Sequence, residues 1–176
     1  MMKRDLARFY ADPLGFVRYV FDWGKPGDVL EDHPGPDAWQ EGLLRELGEA
    51  IRANDDAHQF AVASGHGIGK GALTAWLILW AMSTRPHLNA VIAANTKSQL
   101  ETKTWRELAL WHRRAVNKDW FEWTASRFAH RGHRETWFAA ALPWSENNSE
   151  AFAGLRAENV LMIFDEASAI PDSIWE

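Results

Sequence analysis

The chain contains no cysteine, which excludes a disulfide framework and any thiolate metal site; zinc would have to rely on histidine and carboxylate ligands. Long hydrophobic runs are absent as well. The longest, 72–82, is broken only by Thr74 and falls short of the about 18 apolar residues that a bilayer span needs, so it reads as a buried helix. The opening Met1-Met2-Lys3-Arg4-Asp5 leads into mixed sequence and carries no apolar secretory core. Positive charge is not in excess: the formal net charge is -5. A chain that coats nucleic acid by charge alone is therefore excluded, and any contact with DNA must be local. Neither low-complexity sequence nor a repeat is present.

What is present is enough apolar sequence for one substantial core, 47% of 176 residues. Eleven tryptophans are an unusual load. Trp76, Trp80, Trp105 and Trp111 fall at helical spacing, where core packing is the simplest use of an aromatic; Trp23, Trp120, Trp123 and Trp144 lie in less regular stretches. Leu6, Phe9, Tyr10, Leu14, Val17, Val20 and Phe21 keep a helical period, interrupted at Asp12-Pro13 by an N-cap and a first-turn proline. Two short helices follow from that. Glycines and prolines between Trp23 and Asp37 mark a connecting loop. A helix over 37–53 comes next, ending at Asn54-Asp55-Asp56.

From there the chain alternates. A strand is expected at 59–63, a glycine-rich turn, a helix at 70–83, a strand at 90–94, and a long helix at 96–115 with Thr96 and Gln99 as a capping box. Strands over 126–130 and 135–140 flank Arg131-Gly132-His133-Arg134 as a hairpin or as neighbours. That turn, with His130, could meet a phosphate or a metal, but a solvated loop explains it more simply. A last strand runs over 160–164, with a helix starting near Pro171. Alternation of this kind predicts an α/β fold with a mostly parallel central sheet flanked by helices. Residues 1–36 are expected to pack as N-terminal helices and loop on a core formed by 37–176.

Two segments carry chemistry. In Ser64-Gly65-His66-Gly67-Ile68-Gly69-Lys70-Gly71 the glycines allow successive N–H groups to face one anion, the following helix adds its dipole, and Lys70 supplies an ammonium for the β- and γ-phosphates. This departs from the G-x-x-x-x-G-K-[ST] pattern twice: Ser64 stands for the first glycine, and Gly71 for the hydroxyl residue that ordinarily ligates magnesium. The second segment is Val160-Leu161-Met162-Ile163-Phe164, which delivers Asp165 and Glu166 to a strand's carboxyl edge. Asp165 suits magnesium, and Glu166 the positioning and deprotonation of an attacking water. Together the segments predict an ATP-hydrolysing enzyme with ATP and Mg2+ as ligands. The interval between Lys70 and Asp165 leaves room for an additional strand and helix.

With GHGIGKGALTAWLILWAMSTRP, AANTKSQLETKTWRELALWHR, PWSENNSEAFAGL and VLMIFDEASAIPDSIWE in view, the chain resembles the ATPase domain of phage terminase large subunits, from about Phe21 onward. The resemblance implies a P-loop NTPase fold of the additional-strand, catalytic-glutamate class. It also implies packaging of double-stranded DNA into a procapsid in the host cytoplasm, a portal protein and a small terminase subunit as partners, a homo-oligomeric ring, and no membrane association. Carried onto this sequence, Lys70 matches the phosphate-loop lysine, Asp165 the metal-site acid, Glu166 the catalytic glutamate, and Gln40 a glutamine that recognises adenine. His66 stands where some relatives have an arginine, so another arginine, with Arg156 as one candidate, would have to supply that charge. In the family a coupling motif and a nuclease domain follow this region, so no DNA cleavage is expected of this chain, read as a fragment or a natural truncation. Two alternatives stay open: a nucleotide-binding or assembly module with little turnover, motivated by Gly71, and a helicase-like P-loop ATPase.

Overall fold

The computed structural model describes residues 2–53, 58–63, 67–94, 96, 98, 100–143 and 157–165. Helices α1 (Met2–Ala7) and α2 (Pro13–Val20) are separated where expected, because the Asp12 carboxylate caps α2 by accepting the Gly15 N–H at 2.9 Å and Pro13 occupies its first turn. Helix α3 (Ala38–Ala53) buries Leu44 and Gly48 against this pair. An Arg18–Glu41 ion pair and an Arg52 to Ala11 carbonyl bond at 2.6 Å tie α3 to α2 and to the α1–α2 turn.

Helix α4 (Lys70–Thr84) is the central element: it packs on α1 and α2, on the later helix α5 (Trp105–Arg114), and on the sheet. Its apolar residues lie on every face rather than in one stripe, as a helix enclosed on all sides requires. Tryptophans pin these layers through their indole N–H groups. Trp80 donates to the Phe9 carbonyl at 2.7 Å, Trp23 to Val17 at 2.8 Å, and Trp137 to Met82 at 3.0 Å. Trp76, Trp80, Trp105 and Trp111 are all buried, as their spacing predicts, and Trp23, Trp120 and Trp123 pack against the same core. Trp144 lies outside the described residues.

Among the described residues the sheet has five strands in the order β2-β3-β4-β1-β5. These are β1 (Asn89–Ala94), β2 (Phe121–Trp123), β3 (Arg127–His130), β4 (Phe138–Pro143) and β5 (Val160–Phe164). β1 lies parallel to both β4 and β5, while β3 pairs antiparallel with β4 and β2 antiparallel with β3. The sheet is thus mixed, which corrects the expectation of a mostly parallel one. The cause is local: β2, β3 and β4 are joined by short turns that permit only antiparallel neighbours, and β2, at three residues, is too short for its alternation to announce a strand.

Two further expectations fail for stated reasons. Residues 58–63 form no strand and are largely exposed, including Phe60 and Val62, because no described strand offers them a ladder. The helix expected at 96–115 is not uniform: a π-helical turn, Leu100–Thr104, leads into α5. Thr96 is described but its proposed capping partner Gln99, like the helix expected near Pro171, lies outside the described residues.

Candidate functional site

Gly67 and Gly69 take up left-handed backbone conformations, φ 79° and 88°, and Gly69 caps the start of α4. A side chain at Gly69 is doubly excluded: a Cβ there would stand 2.8 Å from the Gln40 amide nitrogen. Chain reversal into α4 and close approach of α3 therefore meet at one residue. Lys70 opens α4 and is half-buried, while Ile68 is exposed beside it. Ser64, Gly65, His66, Glu166 and Arg156 lie outside the described residues.

Gln40 is buried. Its side-chain carbonyl accepts the Asp37 N–H at 2.8 Å, the return half of a capping box at the start of α3, and its amide donates to the Gly69 carbonyl at 3.0 Å. That carbonyl also accepts the first helical bond of α4, from Leu73 at 3.1 Å. In this arrangement Gln40 clips α3 to the glycine-rich turn.

Asp165 follows β5, and its backbone N–H extends the β5–β1 ladder by donating to Ala93 at 2.8 Å. Because β1 and β5 run parallel, both deliver their carboxyl ends to the same edge of the sheet, the edge at which open α/β folds bind ligands. The half-buried Asp165 carboxylate accepts a hydrogen bond from the Thr104 hydroxyl at 2.6 Å. Thr104 itself is buried and closes the π-helical turn.

One turn further along, Glu107 lies against Gly71, the second residue of α4. Three contacts thus run in series along one edge: Gln40 to Gly69, Gly71 to Glu107, and Thr104 to Asp165. Sequence reasoning missed Thr104 and Glu107. Their signal was the Thr104-x-x-Glu107 spacing, which puts both side chains on one helical face, next to a glycine where a hydroxyl was wanted.

A groove of about 240 Å³ is lined by Ala109, His112, Arg113, Glu122, Trp123 and Arg131. It occupies the other side of α5 from Thr104 and does not belong to this edge. Burial pushes the His112 pKa down there; the Lys118 carbonyl opposes that shift, Arg131 and Arg113 add to it, and Asp119 opposes it. The turn after β3 is packed on itself: the buried His130 ring stacks on Trp137 at 4.2 Å, and its Nδ1 accepts the Gly132 N–H. No cluster of three or more histidines and carboxylates able to hold a metal occurs among the described residues. Magnesium needs no such cage, since one or two carboxylates beside substrate phosphates suffice, and the Asp165 carboxylate at the sheet edge fits that requirement. Among the described residues no helix is long and apolar enough to cross a membrane.

No family model matches the chain, and no solved structure does. A probable terminase large subunit from Enterobacteria phage P7 is 26% identical over 164 residues, 89% of this chain. The chain spans about a third, 31%, of that relative's length. An α/β fold, with five strands flanked by helices among the described residues, thus accompanies similarity to a phage terminase large subunit across nearly all of this chain.

Proposed function

We propose that the chain is the ATPase part of a DNA-packaging motor, a P-loop domain that hydrolyses ATP to drive double-stranded DNA into a procapsid. The observation that carries this reading is the series of contacts joining the glycine-rich turn to Asp165, from Gln40–Gly69 through Gly71–Glu107 to Thr104–Asp165. The role of DNA, a portal protein, a small terminase subunit, a ring of copies and the host cytoplasm is supported by similarity to the terminase subunit alone.

In this reading the N–H groups of residues 64–71 hold the triphosphate at the start of α4, and the Lys70 ammonium sits against its outer phosphates. Asp165, fixed by Thr104 and by its ladder bond to Ala93, is the carboxylate for magnesium. Bound magnesium supplies charge neutralisation across the β- and γ-phosphates. Glu166, next in sequence, orients the attacking water and takes its proton. Gln40 is placed to set the turn's shape, and an adenine would have to be met by the amide capacity left over from Asp37 and Gly69.

A second reading, a nucleotide-holding assembly module with little turnover, is favoured by Gly71, which brings no hydroxyl to the metal. Steady-state phosphate release separates the two. The motor reading predicts a rate that falls by at least about 100-fold in Lys70→Ala and Glu166→Gln, the scale on which loss of a positioned acid–base or electrostatic group registers. Nucleotide binding with a rate equal in all three proteins would leave the holding module as the function.

A further inference from the structure

Gly71 removes an oxygen from the place where a phosphate loop ordinarily offers one to magnesium. The space it vacates is filled by one particular side chain. A Cβ built on Gly71 would stand 3.1 Å from Glu107 Cγ, 3.8 Å from its Cβ and 3.9 Å from its carboxylate carbon. Glu107 therefore reaches over position 71 from the first turn of α5. Thr104, three residues earlier on the same face, holds the Asp165 carboxylate at 2.6 Å. One stretch of helix thus addresses both halves of the edge, Asp165 with a hydroxyl and the start of α4 with a carboxylate.

We propose that Glu107 replaces the missing hydroxyl, its carboxylate serving with Asp165 as an oxygen donor to the divalent cation, directly or through water. The inference rests on the nucleotide-site reading above. Chemically it exchanges a neutral donor for an anionic one. Magnesium accepts either in its octahedral shell, and two carboxylates with waters and phosphates are a common set. The exchange has a signature: a second carboxylate strengthens binding of the bare cation and weakens binding of a triphosphate that arrives without one, through repulsion between like charges.

The test is titration of the purified chain with Mn2+ alone, followed by spin resonance of the free ion, and with a fluorescent ATP analogue with and without Mg2+. Glu107→Gln is expected to weaken Mn2+ binding by about 10-fold or more, the scale seen when groups supporting a metal are removed. It is also expected to shrink the gain in analogue affinity that Mg2+ confers, while binding without Mg2+ holds or improves. Gly71→Ser in a Glu107→Ala background relieves the 3.1 Å contact and supplies a hydroxyl, so it should recover Mg2+ dependence that Glu107→Ala alone loses. Far-ultraviolet circular dichroism confirms that each variant is folded, and the double variant keeps the proposal falsifiable if one single variant is not. Mn2+ affinity and Mg2+ dependence unchanged in Glu107→Gln would overturn the proposal and leave Glu107 as packing over a glycine. If the unmodified chain binds Mn2+ through Glu107 but no nucleotide, the nucleotide reading falls and the cation site stands.

Discussion

Two regions of the molecule use the same kind of residue and obtain opposite results. Around α4, Phe21, Trp23, Trp76 and Trp111 interlock, with ring centroids 4.8 to 6.0 Å apart and mostly edge-to-face. Val160 and Met162 of β5, the edge strand of the sheet, are 44% and 39% exposed, and Phe60 and Val62 in the irregular segment 58–63 are 42% and 40% exposed. Apolar character alone does not bury a residue. The first set meets helices on several sides, whereas β5 has a described strand, β1, on one side only and 58–63 pairs with no described strand. The candidate site lies along the seam, with Gln40 and Thr104 anchored in the packed half and the glycine-rich turn and β5 on the sparse side.

The comparison is broken most strongly by truncation in the packed half. Trp111→Ala should cost about 3–5 kcal/mol in denaturant unfolding, by lost burial and the cavity left behind. Phe60→Ala should fall within about 0.5 kcal/mol of the parent. Equal losses would mean that 58–63 is packed in solution. The orphan indole N–H of Trp76, which has no partner among the described residues, adds an internal control, since Trp76→Phe should cost clearly less than Trp76→Ala.

Effects at the seam are intermediate. Gln40→Ala removes two hydrogen bonds from a buried position and should lower stability by about 1–3 kcal/mol, while Gln40→Glu should do no better, because it sets a carboxylate against the Gly69 carbonyl. Calorimetric melting reads both. Thr104→Val keeps shape and deletes the bond to Asp165; an unfolding loss of about 1–2 kcal/mol is expected, since the half-exposed carboxylate regains water, and Thr104→Ser should restore it.

The smallest effect is a pH dependence in the packed half. Folding holds the His112 pKa below its ordinary 6.5, burial being the main cause, so the unfolded chain takes up the proton more readily. Stability from this group is full above about 6.5 and is lost as pH falls through that value towards the folded one. The melting temperature should therefore drop between pH 7.5 and 5, and His112→Gln, which can still donate to the Lys118 carbonyl, should flatten the drop. A profile that His112→Gln leaves unaltered would remove His112 as its source.

Much of this arrangement was legible in the residues. Asp12-Pro13 sets the α1–α2 break, the glycines before Lys70 set the turn into α4, and Val160–Phe164 forms the strand that ends at Asp165. Local rules decide each of these. Strand 59–63 was not legible as a failure, because its apolar run says only that it suits a ladder and nothing about whether a neighbour exists. Glu107 escaped notice for the same reason: its importance depends on α5 crossing the start of α4, a tertiary fact, where the sequence shows an ordinary first-turn acid. Gln40 had a helical position and a candidate ligand role, yet its bond to the Gly69 carbonyl emerges only once α3 lies against the turn.

The central claim is that Lys70 and Asp165 act on one bound triphosphate. A double-mutant cycle on Mg2+-dependent binding of a fluorescent ATP analogue tests it directly, using Lys70→Ala, Asp165→Asn and the pair together. The account predicts a coupling of about 0.5–3 kcal/mol, the double variant losing less than the two single losses combined. Losses that add within about 0.3–0.5 kcal/mol, or binding untouched by either substitution, would contradict it.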